Sequence, residues 1–110
     1  MGQFGKGDVV IVPFPFSDLS ASKLRPALVV ASLTGNDVIL CQITSQAKSD
    51  GYSVPITAGD FDSGRLPRES NARPNRLFTA ESGIVVRKAG QLKATKTKEV
   101  VAKIVEIVSR

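Results

Sequence analysis

Two short stretches hold the side chains best suited to gripping an oxyanion. The first is Lys23-Leu24-Arg25-Pro26, which leads straight into the apolar run Ala27-Leu28-Val29-Val30; the second is Thr44-Ser45-Gln46, which closes the run Val38-Ile39-Leu40-Cys41-Gln42-Ile43. Arginine offers a rigid fork of donors matched to phosphate oxygens, and a hydroxyl beside it can donate to the same group. Pro26 has its own φ fixed and drives Arg25 into an extended conformation, so the guanidinium leaves the chain at a defined geometry at the mouth of a strand. If the two runs pair as neighbours, Thr44, Ser45 and Gln46 return to the end of the sheet where Arg25 stands. The combination reads as an anion site for a phosphodiester. The same residues also fit a strand-edge arginine that covers apolar surface with its stem, and a strand that simply ends at Thr44-Ser45.

A second basic feature lies between Arg65 and Arg76. Arg65, Arg68, Arg73 and Arg76 face a lone carboxylate there, Glu69, with Pro67, Pro74, Ser70, Asn71 and Asn75 interleaved. That mixture suits an exposed loop over a basic surface. Over the 110 residues, 15 Lys and Arg against 10 Asp and Glu give a net charge of +5, a balance that favours polyanionic partners and also keeps a small protein soluble. Histidine is absent, which removes the commonest general acid and base and the commonest metal ligand together. With a single cysteine beside that absence, a zinc site has no credible ligand set.

The elements that must position these groups are short strands followed by one helix. Gly7-Asp8 opens Val9-Val10-Ile11-Val12, β-branched as a strand should be, until Pro13 and Pro15 remove donors that a central strand needs, so its pairing must end or reach an edge there. Thr34-Gly35-Asn36 sits between two apolar runs as a hairpin connection. Tyr52 to Thr57 is a weaker strand because of Pro55, and Arg76 to Ser82 and Gly83 to Gly90 alternate well enough to be two more. From Thr97, taken as N-cap, Val100, Val101, Ile104, Val105 and Val108 fall on one face and Lys98, Glu99, Lys103 and Glu106 on another, which predicts a helix. Five or six strands and a C-terminal helix in one domain over residues 1–110 predict a mainly β, strongly curved small barrel or half-barrel. Cys41 reads as a small apolar strand residue in a reduced compartment. No apolar run is long enough to span a bilayer and no signal segment opens the chain, so the expected location is the cytoplasm.

The segment from Gly7 to Val30, the Cys41-Gln42-Ile43-Thr44-Ser45-Gln46 stretch and Ala72-Arg73-Pro74-Asn75-Arg76-Leu77-Phe78-Thr79 resemble, in that order, the signature of the MazF/PemK toxins of bacterial toxin–antitoxin pairs. The likeness runs through nearly the whole chain. It implies an SH3-like barrel with a C-terminal helix, a homodimer, and metal-independent, cofactor-free cleavage of single-stranded RNA at short sequences. It also implies an antitoxin whose flexible tail blocks the RNA groove. By the same resemblance Arg25 and Thr44 are the catalytic pair on the scissile phosphate. RNA-binding positions are then Asp18, Lys23, Ser45, Gln46, Arg65, Arg68, Arg73, Asn75 and Arg76. Asn75 departs from relatives that carry an aspartate two residues after the arginine, and an amide cannot act as a general base. The segment Ser20-Ala21-Ser22-Lys23 departs too, having neither the Glu nor the His that some relatives place there, and Asp18 reads as a turn-former as well as a site carboxylate.

Cleavage through the RNA's own 2′-hydroxyl needs that hydroxyl deprotonated, the pentavalent phosphoryl stabilised and the 5′-oxygen protonated, leaving a 2′,3′-cyclic phosphate. Arg25 suits the second need and Thr44 can hydrogen-bond a phosphoryl oxygen. Two other functions fit the same resemblance: a CcdB-like poison of DNA gyrase and an RNA-binding module without catalysis. The Arg25 and Thr44 pairing favours the nuclease, and the amide at Asn75 favours the binder.

Overall fold

In the computed structural model, residues 4–14, 23–46 and 50–110 are described. Strands β1 (Asp8–Phe14), β2 (Lys23–Ser32), β3 (Asp37–Thr44), β4 (Val54–Ile56), β5 (Phe61–Gly64), β6 (Ser70–Glu81) and β7 (Arg87–Leu92) precede one helix, α1 (Ala94–Val108). They form a single antiparallel sheet in the order β4-β6-β3-β2-β1-β7-β5. The sheet curls into a half-barrel, and the molecule measures 33 × 32 × 31 Å along its principal axes.

Curling explains why β1, β2 and β3 read as continuous apolar runs, because both of their faces are covered. One face gives Val9, Leu28, Val30, Cys41 and Ile43 to a cluster with Ile56, Ala72, Leu92 and the fully buried Val100 of α1. The other gives Val10, Val12, Ala27, Val29 and Leu40 to a second cluster, closed by Phe14 against Phe78 at 4.9 Å, edge to face. Each fully buried valine contributes roughly 1.5 to 3 kcal/mol, so these two layers hold the strand ends in place. The Gly7-Asp8 pair is structural. Gly7 adopts a left-handed φ of 99°, and the buried Asp8 carboxylate accepts the Gly5 N–H at 2.9 Å and pairs with Lys88 at 3.1 Å.

Several sequence expectations hold. Residues 33–36 join β2 to β3, with Gly35 at φ 75°. On its β7 side β1 is paired only as far as Ile11↔Arg87, so Pro13 lies where that neighbour has left. Others need correction. The described residues form seven strands, because the polar segment Phe61–Gly64 pairs with β7. The expected loop from Arg65 to Arg76 is strand from Ser70 onward: β6 pairs with β3 on one side and β4 on the other, and absorbs Pro74, Asn75 and Arg76 in an irregularity between Gln42↔Arg73 and Cys41↔Leu77. Ser82–Ile84 is a 3-10 turn, so β7 starts only at Arg87. The helix begins at Ala94 with Lys93 as N-cap; Thr97 lies inside its first turn, its hydroxyl donating to the Lys93 carbonyl at 3.2 Å. Arg25 is the third residue of β2, since the strand extends back to Lys23↔Phe14.

Candidate nucleic-acid site

At the end of the sheet where β2 begins, β3 ends and β6 begins, side chains sort by strand alternation onto two sides. Val12 pairs with Arg25, Ala27 with Gln42, and Thr44 with Asn71. Cross-strand partners share a face, so Arg25, Thr44 and Asn71 lie on one side; extending the β2–β3 register two residues beyond Ala27↔Gln42 brings Arg25 level with Thr44. The next row on that side is Ala27, Gln42 and Arg73. Arg25 is half-buried and, among the described residues, makes no ion pair. Thr44 is 6% exposed, and its Oγ1 accepts the Gln46 N–H at 3.2 Å. That bond uses an oxygen lone pair and leaves the hydroxyl proton to donate elsewhere.

The other side of the sheet's end is a groove of about 550 Å³. Its apolar floor comes from Ile11, Leu24 and Pro26, which flank the other row along the chain, and from Val86; Leu24 and Val86 are 58% and 57% exposed. Arg65, Arg68 and Arg87 stand around it with Ser45 and Ser70, and Arg25 lines it as well as belonging to the opposite row. A hollow of about 500 Å³ between α1 and β7, edged by Lys6, Lys98 and Asp62, has no such arginine and hydroxyl pairing.

The residues singled out in the sequence are thus divided. Arg25 and Thr44 fall on one face by extension of the β2–β3 register, while Ser45, Arg65 and Arg68 line the groove with Arg25. Arg73 is engaged in the protein: its Nη2 donates to Asp50 Oδ2 at 3.1 Å, and its side chain is only 12% exposed. Asn75 and Arg76 are exposed in the β6 irregularity, outside the groove lining. Lys23 is exposed at the start of β2, Gln46 is tied through its backbone carbonyl to Asn71 Nδ2 at 3.3 Å, and Asp18 lies outside the described residues. Arg87 was missed by sequence reasoning. It stands in a run that reads as ordinary strand, and only the Ile11↔Arg87 pairing carries it to the groove.

Asp50 is held as a carboxylate. Its partial burial works against the charge, but the Tyr52 N–H, the Ser53 hydroxyl and N–H, and the Arg73 guanidinium outweigh that and keep its pKa below the ordinary value. Burial pushes the Cys41 thiol up to about 12, against the lowering effects of a hydrogen bond with the Arg73 backbone and of the Arg73 charge. The thiol is inert at neutral pH. Among the described residues no group of three His, Cys, Asp or Glu side chains is placed to hold a metal ion.

A family model, PemK-like, MazF-like toxin of type II toxin–antitoxin system, matches residues 5–108. The chain belongs to this family. The MazF-like half-barrel is also the fold of solved structures at low identity. An endoribonuclease from a mycobacterial species superposes with a TM-score of 0.75 at 14% identity, over 99% of this chain and 94% of that one. MazE–MazF from Deinococcus radiodurans gives 0.76 at 18% identity, over 96% of each chain. A mycobacterial endoribonuclease in complex with its cognate antitoxin gives 0.74 at 12% identity, over 99% and 96%. No curated protein sequence matches this MazF-like chain. No described helix is long and apolar enough to cross a membrane.

Proposed function

We propose that this chain is a metal-independent endoribonuclease toxin that cuts single-stranded RNA at short sequences by attack of the 2′-hydroxyl on the neighbouring phosphorus. The observation that carries the reading is the placement of Arg25 and Thr44 on one face, in rows fixed by a buried sheet, with the arginine left without an ion-pair partner among the described residues. In the reaction the 2′-oxygen gives up its proton to solvent and bonds to phosphorus, the bond to the 5′-oxygen breaks, and that oxygen takes a proton from solvent. The products are a 2′,3′-cyclic phosphate and a 5′-hydroxyl end. Arg25 donates hydrogen bonds to the equatorial oxygens, whose charge grows in the transition state, and the Thr44 hydroxyl donates a hydrogen bond to one of them. Alignment of the 2′-oxygen with its leaving group supplies much of the rest, up to roughly 7 to 11 kcal/mol in favourable intramolecular reactions.

The groove arginines Arg65, Arg68 and Arg87 serve the flanking phosphates. Single strands are held by such positively charged channels, and strand touching both them and Thr44 has to pass over the sheet's end. The exposed Leu24 and Val86 on the groove floor favour a second copy of the chain extending this channel, hence a homodimer. A cognate antitoxin is the expected regulatory partner, as solved relatives are found with theirs, and toxin action on cellular RNA places the protein in the cytoplasm. Purified protein incubated with single-stranded RNA in EDTA tests the proposal. Site-limited cleavage with cyclic phosphate ends is expected. Intact RNA that is still retarded in a gel would instead make the chain a binder, in keeping with the amide at Asn75.

A further inference from the structure

β6 holds both ends of the chain segment that follows Thr44. Asn71, the cross-strand partner of Thr44, donates from Nδ2 to the Gln46 carbonyl at 3.3 Å. Arg73, two residues further along the same face, donates from Nη2 to Asp50 at 3.1 Å. Residues 46 and 50 are therefore fixed to consecutive same-face positions of one strand. Asp50 anchors its own side of the connection as well. Its Oδ1 accepts the Tyr52 N–H at 3.2 Å, the Ser53 N–H at 3.1 Å and the Ser53 hydroxyl at 3.0 Å, so the chain from 50 into β4 is organised around this carboxylate.

Arg73 is built to stay. The Cys41 thiol donates to its carbonyl at 3.2 Å, and its Nε and the Oε1 of its cross-strand neighbour Gln42 are buried without hydrogen-bond partners. A guanidinium in such a place depends on its ion pair, because leaving it without a counter-charge would expose the full cost of desolvation. Asp50, for its part, already accepts four hydrogen bonds. It has little acceptor capacity left with which to take a proton from a 2′-hydroxyl.

From this geometry we infer that Arg73 and Asp50 form a positioning clamp that sets the Thr44-Ser45-Gln46 end of β3, and that Arg73 does not contact the RNA phosphates. The inference rests on the reading of Thr44 as part of the cleavage site. It replaces the assignment of Arg73 to RNA binding with an indirect role through Thr44, whose Oγ1 is fixed by the Gln46 N–H that the clamp helps to place.

The test combines kinetics with amide exchange on the full chain. Arg73→Ala and Asp50→Asn should each lower kcat by about tenfold, since slight misplacement of reacting groups is costly. KM and the salt dependence of RNA binding should stay as in the parent. The double variant should lose no more than either single change, because both break the same contact. Arg73→Lys, which keeps a charge for Asp50, should recover most of the rate. A raised KM with kcat retained, or a salt slope lowered by about 0.7, would show Arg73 on a phosphate and overturn the clamp; additive losses in the double variant would do the same. If the parent chain itself cleaves no RNA, the functional reading fails and exchange decides the clamp separately. Arg73→Ala should speed exchange of the Gln46, Tyr52 and Ser53 amides several-fold without global unfolding, and unchanged exchange at Gln46 would refute it.

Discussion

Raising salt should weaken RNA binding by an amount set by the groove. Four arginines, Arg25, Arg65, Arg68 and Arg87, line it and none is in an ion pair among the described residues. Arg73 is left out because Asp50 holds it, and Arg76 because it stands outside the groove lining. For a single strand each neutralised phosphate contributes a log–log slope of about 0.7, so four contacts give about 2.8. Between about 50 and about 200 mM salt, affinity should then fall about 50-fold. Arg87→Ala should reduce the slope to about 2.1 and the loss over that range to about 18-fold, while the position of cleavage stays the same. Fluorescence anisotropy with a labelled single-stranded RNA and an uncleavable 2′-deoxy linkage at the scissile position measures this directly. A slope below about 1, or an Arg87→Ala slope equal to the parent's, would mean that the groove arginines are solvated surface and that RNA runs elsewhere.

Other consequences are as concrete. Sedimentation at micromolar concentration should show a dimer, and Leu24→Asp, which puts a charge on the groove floor, should shift it towards monomer; a monomeric parent with full cleavage activity would sink the shared channel. Cys41 has a thiol pKa raised from 9.0 to about 12, so its contribution to stability is intact below about pH 9 and is lost as pH rises towards 12. Chemical denaturation across that range should show a decline of up to about 4 kcal/mol from this group, absent in Cys41→Ala. Gly64 has a left-handed φ of 71° and an added Cβ would run into the Ala89 carbonyl across the β5–β7 pairing. Gly64→Ala should cost about 2 kcal/mol or more, lowering Tm by about 10 °C, and an unchanged melting curve would contradict that packing.

What could be read from the sequence was what depends on local chemistry. The β-branched runs of β1, β2 and β3 and the amphipathic C-terminal helix were legible, because burial on both faces of a strand and on one face of a helix leaves a periodic trace. Arg25 and Thr44 were legible as strand-end groups. β6 was misread from Ser70 to Arg76 because arginines and Pro74 suggest a loop, and only pairing with two neighbours makes that segment a strand. β5 was invisible, since Asp62, Ser63 and Gly64 have no strand propensity of their own and are recruited by β7. The Thr97 cap was displaced because Ala94, Thr95 and Lys96 extend the helix by a turn from Lys93. The Asp50 and Arg73 pair spans 23 residues and leaves no local signal, so the ion pair that engages Arg73 could not be read from the sequence.

The most direct test is the single-turnover rate of RNA cleavage by Arg25→Ala beside its melting temperature. With Arg25 donating to the phosphoryl group, the rate should fall about 100-fold or more, the loss expected for one preorganised donor to a developing oxyanion. RNA affinity should change far less, Arg25→Lys should fail to restore the rate because a point charge lacks the planar fork, and Tm should hardly move. Cleavage at the parental rate would make the arginine a bystander, and an unfolded variant would make it a structural part; either result contradicts the account.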